Sequence, residues 1–156
     1  MKVGDVMTRG VGTCRLDDSV NAAAQIMWEG DFGCVAVVDS DGKAVSMITD
    51  RDICMAAYTQ GQRLTQMPVS SADSRTLFAV HEHDSISDVE AIMNRHRVRR
   101  VPVIDQDGRP IGIVSMNDLA RNATMGRSGD ALNPDYIVKT LAAVCRPNGM
   151  HASAGE

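Results

Sequence analysis

Two short stretches of the sequence place a hydroxyl residue three positions before an aspartate, namely Thr49 before Asp52 and Ser115 before Asp118. Each pair follows a short apolar run and precedes helical spacing, so it falls where a strand turns into a helix. Free backbone N–H groups and the positive end of the helix dipole lie at such a junction. A hydroxyl and a carboxylate there can cap the helix, or they can hold the hydroxyls and phosphate of a nucleotide. Taken alone, either stretch favours capping.

The two stretches are copies of each other within an internal repeat. Residues 14–57 align with residues 80–123 at an offset of 66 without a gap, and 11 of the 44 pairs are identical. Most other pairs are conservative, such as Thr49 with Ser115. Chance would give only a few identities, so the duplication is real. Two copies are too few for a solenoid, and we expect them to pack on each other.

Each copy predicts the same order of elements: short strand, helix, strand, hairpin turn, strand and helix. The predicted segments are 34–38, 39–42, 44–48 and 50–58 in the first copy, and 78–80, 101–104, 105–108, 111–114 and 117–123 in the second. Asp-Ser pairs at Ser19 and Ser85 predict the N-caps of the first helices. Pro102 lacks a backbone N–H, which predicts that its strand lies at a sheet edge or has a free donor side there.

These patterns divide the chain into two modules, a linker and a tail. The predicted boundaries are 1–61 for the first module with its lead-in, 62–76 for the linker, 77–124 for the second module and 125–156 for the tail. The lead-in predicts a short helix or turn at residues 5–8 that covers the first module. In the tail, a flexible break at 126–129 precedes a helix capped by Asn133, and residues 151–156 are predicted to be disordered. We expect the tail helix to pack on the modules or on a second subunit.

Composition excludes several classes of protein. A formal charge of −4 provides no basic face for nucleic acid, and no apolar run is long enough for a membrane span. Hydrophobic residues make up 44% of the chain and aromatic residues 3%, so Met, Val, Ile and Ala must fill the core. The four cysteines are widely spaced and no secretory signal is evident. A cytoplasmic protein with free, mostly buried thiols is therefore expected.

The repeat resembles a tandem pair of CBS domains, often called a Bateman module. The resemblance covers about residues 3–123 and rests on the repeat size, the element order, the hairpins and the closing motifs that end at Asp52 and Asp118. It implies an α/β fold (α+β in some schemes) of two pseudo-symmetric β-α-β-β-α units packed sheet to sheet, plus the C-terminal helix. It also implies a homodimer, and clefts that bind AMP, ADP, ATP or S-adenosylmethionine as a regulatory ligand, with no cofactor required.

The resemblance also implies binding residues, position by position. In the first cleft Asp52 would hold the ribose, Thr49 would face the phosphate and the Met47 backbone would read the adenine edge. The other residues implied there are Asp18, Ala23, Phe32, Gly33, Arg99 and Arg100. The weaker second cleft would be formed by Asp84, Val89, Val98, Ile113, Ser115 and Asp118.

The two clefts differ in their expected cations. Arg99 and Arg100 would serve a phosphate in the first cleft, whereas the repeat places Gly33 and Cys34 at the same positions of the second. We therefore expect the Asp52 cleft to be the better phosphonucleotide site. The alternative is that Arg95, Arg97, Arg99 and Arg100 form a solvated basic face. Two departures count against the assignment: Ser46 replaces the usual Gly, and Asp18 and Asp84 would repel an anion unless they are turned away as caps.

Other chemistry finds no support in the sequence. His81 and His83 share a strand face but lack a third metal ligand, so no metal site is predicted. The apolar surroundings of Cys34 and Cys54 argue against a Cys–His nucleophile, and neither a P-loop nor G-x-G-x-x-G is present. No catalytic residue is predicted, and enzyme activity is not expected. Two functions remain: a stand-alone nucleotide sensor that signals to an unknown partner protein, or a scaffold and dimerisation module with vestigial clefts.

Overall fold

The computed structural model describes residues 1–125 and 133–146, which form six α-helices and seven β-strands within those ranges. The helices are α1 (Val3–Val6), α2 (Val20–Gly30), α3 (Asp50–Gln60), α4 (Ile86–His96), α5 (Met116–Met125) and α6 (Pro134–Val144). The strands are β1 (Thr8–Arg9), β2 (Thr13–Arg15), β3 (Cys34–Val38), β4 (Ala44–Thr49), β5 (Val80–His81), β6 (Arg100–Ile104) and β7 (Pro110–Ser115). The predicted break at 126–129 and the predicted disorder at 151–156 lie outside the described residues.

The strands form two sheets, one for each copy of the repeat. Unit 1 contains the sheet β2-β3-β4 with α2 and α3, and unit 2 contains the sheet β1-β7-β6-β5 with α4 and α5. In both sheets the first strand of the repeat (β2 or β5) pairs in parallel with the next one, and the two hairpin strands pair antiparallel. Gly42 and Gly108 occupy the hairpin positions with φ of +79° and +83°, a conformation that glycine adopts at little cost. The predicted α+β fold of two pseudo-symmetric units is confirmed.

Pro102 is buried in β6, which lies between β5 and β7, so the first predicted alternative, an edge strand, is wrong. The second alternative, a free donor side, fits, because the pairing of β6 with β5 starts only at Val103. The equivalent of Pro102 in unit 1, Ala36, donates its N–H to the Gly12 carbonyl across 3.0 Å. Proline cannot form that bond. Pairing in unit 2 accordingly starts one residue later in the repeat, at Val80 opposite Val103, and the predicted lead strand at 78–80 is instead Val80–His81.

Each unit is completed by a segment from outside it. Val3, Val6 and Met7 of the lead-in are buried in the core of unit 2, and β1 extends the sheet of unit 2 along β7. The linker does the same for unit 1, because Met67 and Val69 are buried in the core of that unit. The prediction that the lead-in covers the first module is therefore wrong: it packs on the second.

The internal repeat relates the two exchanged segments to each other. The offset of 66 residues relates the lead-in to residues 67–75. The N–H of Val3 donates to the carbonyl of Asp84 (3.0 Å), and the N–H of Val69 donates to the carbonyl of Asp18 (2.8 Å). The two cores consequently depend on each other's lead segments, which ties the two units into one structure.

The tail helix α6 packs on unit 2. Ile137 and Val144 are buried in the core of that unit, and Asn94 of α4 donates to the Thr140 hydroxyl across 3.1 Å. Asn133 caps α6 by accepting the N–H of Asp135, with Pro134 in the first turn, as predicted. Packing on the modules, one of the two roles expected for this helix, is observed.

Candidate functional site

Thr49 and Asp52 form a capping box at the start of α3. The Asp52 N–H donates to Thr49 Oγ1 (3.2 Å), and Asp52 Oδ2 accepts from the Thr49 N–H (2.9 Å) and hydroxyl (2.6 Å). The residues therefore cap the helix, as either stretch alone suggests. Both bonds to the carboxylate use Oδ2; Oδ1 of the half-buried Asp52 accepts no hydrogen bond from the described residues. The second carboxylate oxygen is thus available to a ligand.

Asp118 repeats the capping box at the start of α5 but has both oxygens engaged. Oδ2 accepts from the Ser115 N–H (2.8 Å) and hydroxyl (2.5 Å), while Oδ1 accepts from the Thr8 hydroxyl (3.1 Å) and from the Arg121 guanidinium. Asp118 is only 3% exposed. Burial acts to raise its pKa, but the bonds from Ser115, with those from Arg121 and Thr8, hold that pKa below its ordinary value. The carboxylate is ionised and internally satisfied.

Two substitutions between the copies cause this difference. Met55 occupies the position of Arg121, and Ser74 occupies the position of Thr8. Met55 has no group to donate, and the Ser74 hydroxyl donates to the Thr76 carbonyl across 3.1 Å instead of reaching Asp52. Asp52 is left with a free oxygen because its unit lacks both donors.

The backbone of Met47, expected to read an adenine edge, already has a partner. The Met47 N–H donates to Ser74 Oγ (3.2 Å), and the Met47 carbonyl accepts the Ser74 N–H (2.9 Å). Ile113, the equivalent residue of unit 2, lies opposite Thr8 in the pairing of β1 with β7. A ligand that hydrogen-bonds the backbone of Met47 or Ile113 must therefore displace Ser74 or Thr8, the lead-segment residue that pairs with it.

Ser46, which stands where the resemblance predicts glycine, is buried and donates its hydroxyl to Asp73. At the equivalent Gly112 a built Cβ would lie 2.7 Å from the Thr8 carbonyl oxygen and 3.1 Å from the sulfur of Met7. Unit 1 tolerates a side chain at this position because Asp73, the counterpart of Met7, accepts its hydrogen bond.

Arg100 and Arg99, predicted to act together, point in different directions. A Cβ built on Gly33 would lie 2.8 Å from Arg100 Nη2 and 2.9 Å from Asp50 Oδ2, so Arg100 reaches across to the turn that leads into α3. Arg99 is exposed and its Nη2 lies 3.7 Å from Cys145 Sγ on the tail helix. Arg100 therefore lies close to Gly33 and Asp50, whereas Arg99 is directed towards the tail helix.

The second cleft has a cation that the repeat comparison missed. Arg121 bonds Asp118 while 64% of its side chain remains exposed. Arg121 lies outside the positions that were compared, where Gly33 and Cys34 stand opposite Arg99 and Arg100. The signal was available in the sequence, because a residue three positions after Asp118 on a helix shares its face.

The residues expected to line the adenine pocket are only partly accessible. Ala23 and Val89 are fully buried in the two cores, so their side chains face the sheets. Phe32 and Val98 are partly buried against those cores. The Phe32 ring lies over Gly30, where a built Cβ would be 1.9 Å from it. Of the predicted residues of the first cleft, Gly33 lies next to Arg100.

Asp18 and Asp84, which could repel a phosphate, are turned back into their own loops. Asp18 accepts the N–H of Arg15 (2.8 Å) and Asp84 accepts the N–H of His81 (2.7 Å). Both close the turn before a helix, while Ser19 and Ser85 supply the N-caps. Their carboxylates are held locally and are not directed at the helix starts of α3 and α5.

The cysteines and histidines of the described residues do not assemble into a reactive centre. Burial raises the pKa of Cys14 to about 12 and that of Cys34 to about 11, so both are neutral thiols. His81 Nδ1 lies 3.2 Å from the Ile104 carbonyl, a contact within the sheet. Within residues 1–125 and 133–146, His, Cys, Asp and Glu form no group of three or more placed to hold a metal ion.

Two β-α-β-β-α units with a hydroxyl–aspartate cap in each define a tandem-repeat module. The family described as the CBS domain matches this chain twice, over residues 3–58 and 69–124. The chain therefore belongs to the CBS domain family, as a tandem pair. No helix in the described parts of the chain is both long and apolar enough to cross a membrane.

Relatives of similar length share this organisation. The chain is 37% identical over 131 residues to the CBS domain-containing protein YhcV of Bacillus subtilis, covering 83% of this chain and 91% of that protein. It is 32% identical over 143 residues to Hypoxic response protein 1 of Mycobacterium tuberculosis, covering 92% of this chain and 93% of that protein. The match to the CBS domain pair of MJ0100, solved with 5′-methylthioadenosine and S-adenosyl-L-methionine, has a TM-score of 0.69 at 27% identity and covers 78% of this chain and 94% of that one.

Proposed function

We propose that this protein is a regulatory module that binds an adenosine-containing ligand at the Thr49–Asp52 cleft and transmits occupancy to a partner protein. The observation that supports this most strongly is the free Oδ1 of Asp52, which is held in a fixed capping geometry at a helix N-terminus. A carboxylate oxygen in this position accepts hydrogen bonds from ribose hydroxyls. The 5′-methylthioadenosine and S-adenosyl-L-methionine bound to the MJ0100 pair have such a ribose.

The charges of the cleft support a ligand with little net charge or a single phosphate. Arg100 can pair with one phosphate, and Asp50 beside it opposes additional negative charge. We therefore expect AMP or S-adenosylmethionine to bind more tightly than ADP or ATP. Asp118 has no oxygen to offer without breaking a bond to Thr8 or Arg121, so its cleft is the weaker one.

The second candidate function is a scaffold with vestigial clefts. It is favoured by one observation: Ser74 occupies both the N–H and the carbonyl of Met47, where adenine recognition was expected. In either function we propose a homodimer in the cytoplasm and no catalysis. For a sensor, the ligand must bind the two states of the module with different affinity, since equal affinity shifts nothing.

Thermal melting separates the two functions. A ligand at about 100 times its dissociation constant adds about 2.7 kcal/mol to the stability, which raises the melting temperature by about 5–10 °C for a chain of this size. We expect this shift with AMP or S-adenosylmethionine and a smaller one with GMP, which carries the same phosphate on a different base. The absence of a shift with AMP, ADP, ATP and S-adenosylmethionine alike would refute the sensor and favour the scaffold.

A further inference from the structure

Asp50 of unit 1 and Arg100 of unit 2 both reach Gly33, at the N-terminal end of α3. A Cβ built on Gly33 would lie 2.8 Å from Arg100 Nη2 and 2.9 Å from Asp50 Oδ2, so both charged groups lie close to one point above the glycine. They can approach this closely because glycine has no side chain. The Gly33 carbonyl also accepts the Asp50 N–H across 3.2 Å, which holds the start of α3 against it.

The two charges do not neutralise each other. Among the described residues, no ion pair joins Asp50 to Arg100, and the only hydrogen bond to the Asp50 carboxylate comes from the Arg51 N–H (2.8 Å to Oδ1). Both charges act on the thiol of Cys34: burial raises its pKa to about 11, Arg100 acts to lower that pKa and Asp50 acts to raise it. An anion and a cation are therefore both available to a ligand at this place.

The repeat shows that the fold does not require an acid at position 50. The offset of 66 residues relates Asp50 to Met116, an apolar residue that is 8% exposed at the start of α5. The same offset relates Arg100 to Cys34, so neither charge is repeated in the other unit. The combination of Asp50 with Arg100 therefore belongs to the first cleft alone.

The position of these charges relative to Asp52 indicates which part of a ligand they would meet. Asp50 and Asp52 both lie in the first turn of α3, where side chains lean back towards the N-terminal end of the helix. If Asp52 Oδ1 holds the ribose, the substituent on the 5′ carbon is the part of the ligand that lies next to Asp50 and Arg100. The guanidinium of Arg100 accepts either a carboxylate or a phosphate. The carboxylate of Asp50 attracts an ammonium group and repels a phosphate, which carries a charge of about −2 near neutral pH.

We propose that Asp50 is the specificity-determining residue of the Asp52 cleft, and that it selects an adenosine whose 5′ chain ends in an α-amino acid over one that carries phosphate. Arg100 binds the carboxylate of that chain, and Asp50 binds its ammonium group. S-adenosylmethionine and S-adenosylhomocysteine have such a chain, whereas 5′-methylthioadenosine lacks both charges and AMP carries the phosphate instead. The selection rests on the proposed function, since it concerns the ligand of the same cleft.

Calorimetric titration of the wild type and Asp50→Asn with three ligands tests this selection. S-adenosylhomocysteine represents the amino-acid chain without the additional charge of a sulfonium, AMP represents the phosphate, and 5′-methylthioadenosine is the uncharged control. We expect the wild type to bind S-adenosylhomocysteine about 10-fold or more tightly than either of the others. Asp50→Asn should weaken S-adenosylhomocysteine by about 10-fold, tighten AMP and leave 5′-methylthioadenosine unchanged. A change in the helix alone would move all three ligands in the same direction.

Two further variants separate the charge of Asp50 from its position. Asp135→Asn makes the same change at an exposed residue in the first turn of α6, and it should leave all three dissociation constants unchanged. Gly33→Ala keeps both charges but places a Cβ where Arg100 Nη2 and Asp50 Oδ2 lie, so these two side-chain ends must move. It should reduce the affinity for S-adenosylhomocysteine to that for 5′-methylthioadenosine.

The possible results distinguish this selection from the sensor function itself. If the wild type binds AMP more tightly than S-adenosylhomocysteine, the selection is wrong and the sensor stands. The same holds if Asp50→Asn shifts the two ligands in the same direction or leaves both unchanged, because Asp50 is then only part of the helix start. If none of the three ligands binds the wild type, the proposed function fails, and the selection fails with it.

Discussion

Replacing the two equivalent aspartates by alanine should lower the free energy of unfolding by very different amounts. Asp52→Ala removes the return bond of a capping box, which contributes about 1 kcal/mol. Asp118→Ala removes the same bond and also the contacts of a buried carboxylate with Thr8 and Arg121. Hydrogen bonds to a charged group contribute about 1.5–3 kcal/mol, and the exposure of Arg121 places its share at the low end. We expect losses of about 1 kcal/mol for Asp52→Ala and about 2–4 kcal/mol for Asp118→Ala.

Urea unfolding of the two variants measures this difference directly. The slope of the free energy against urea should match that of the wild type in both, so that the midpoint alone reports stability. Because the change is the same at two positions related by the repeat, each variant is the control of the other. Equal losses at Asp52 and Asp118 would refute the conclusion that only Asp118 is internally satisfied.

The same contacts predict a pH dependence with a definite sign. The pKa of Asp118 is below its ordinary value in the folded protein, so its ionised form stabilises the fold above the unfolded pKa of about 3.9. That contribution is lost as the pH falls through the folded pKa. The stability difference between wild type and Asp118→Ala should therefore be constant near neutral pH and shrink in acid. A difference that is unchanged down to the acid limit of folding would contradict this account.

Three further changes follow from the site and its surroundings. Gly112→Ala should destabilise the protein by about 1–3 kcal/mol in urea unfolding, because its Cβ would meet a backbone carbonyl at 2.7 Å; an unchanged midpoint would show that β1 moves freely. Arg100→Ala should weaken AMP binding by about 10-fold in calorimetry, and Arg99→Ala should leave it unchanged. Equal effects of the two changes would show that both arginines contact the ligand, as the sequence predicts. Cys54 and Cys145 should react with a thiol reagent in the native protein, which gives two equivalents per chain, and the other two thiols should react only after unfolding. Four equivalents in the native protein would contradict the burial of Cys14 and Cys34.

Much of the fold was predictable because the apolar runs, the turn residues and the helix caps of each copy all indicate the same elements. The apolar run at Cys34–Val38, the Asp-x-Asp-Gly hairpins and the hydroxyl caps all appear where the sequence places them. These features are local: a cap or a tight turn is determined by residues within three or four positions. The repeat also predicted that two units pack on each other, which no local pattern indicates.

The contacts between units were predicted less well, because they depend on long-range packing. The exchange of lead segments was missed although the offset of 66 also relates residues 1–9 to residues 67–75, because the repeat does not indicate on which unit each segment packs. The separation of Arg99 from Arg100 could have been anticipated, because successive side chains entering a strand point to opposite faces. The contact between Thr8 and Asp118 spans 110 positions, and no spacing rule links them.

Calorimetric titration of AMP and ATP into the wild type, Asp52→Ala and Asp118→Ala shows whether the ligand binds at Asp52. The titrations should be made at a temperature where circular dichroism shows all three to be folded. The account predicts one ligand per chain in the wild type, binding weakened by about 10-fold or more in Asp52→Ala, and binding retained in Asp118→Ala. If the change at Asp118 alone abolishes binding while the change at Asp52 leaves it intact, the ligand occupies the other cleft and the account is wrong.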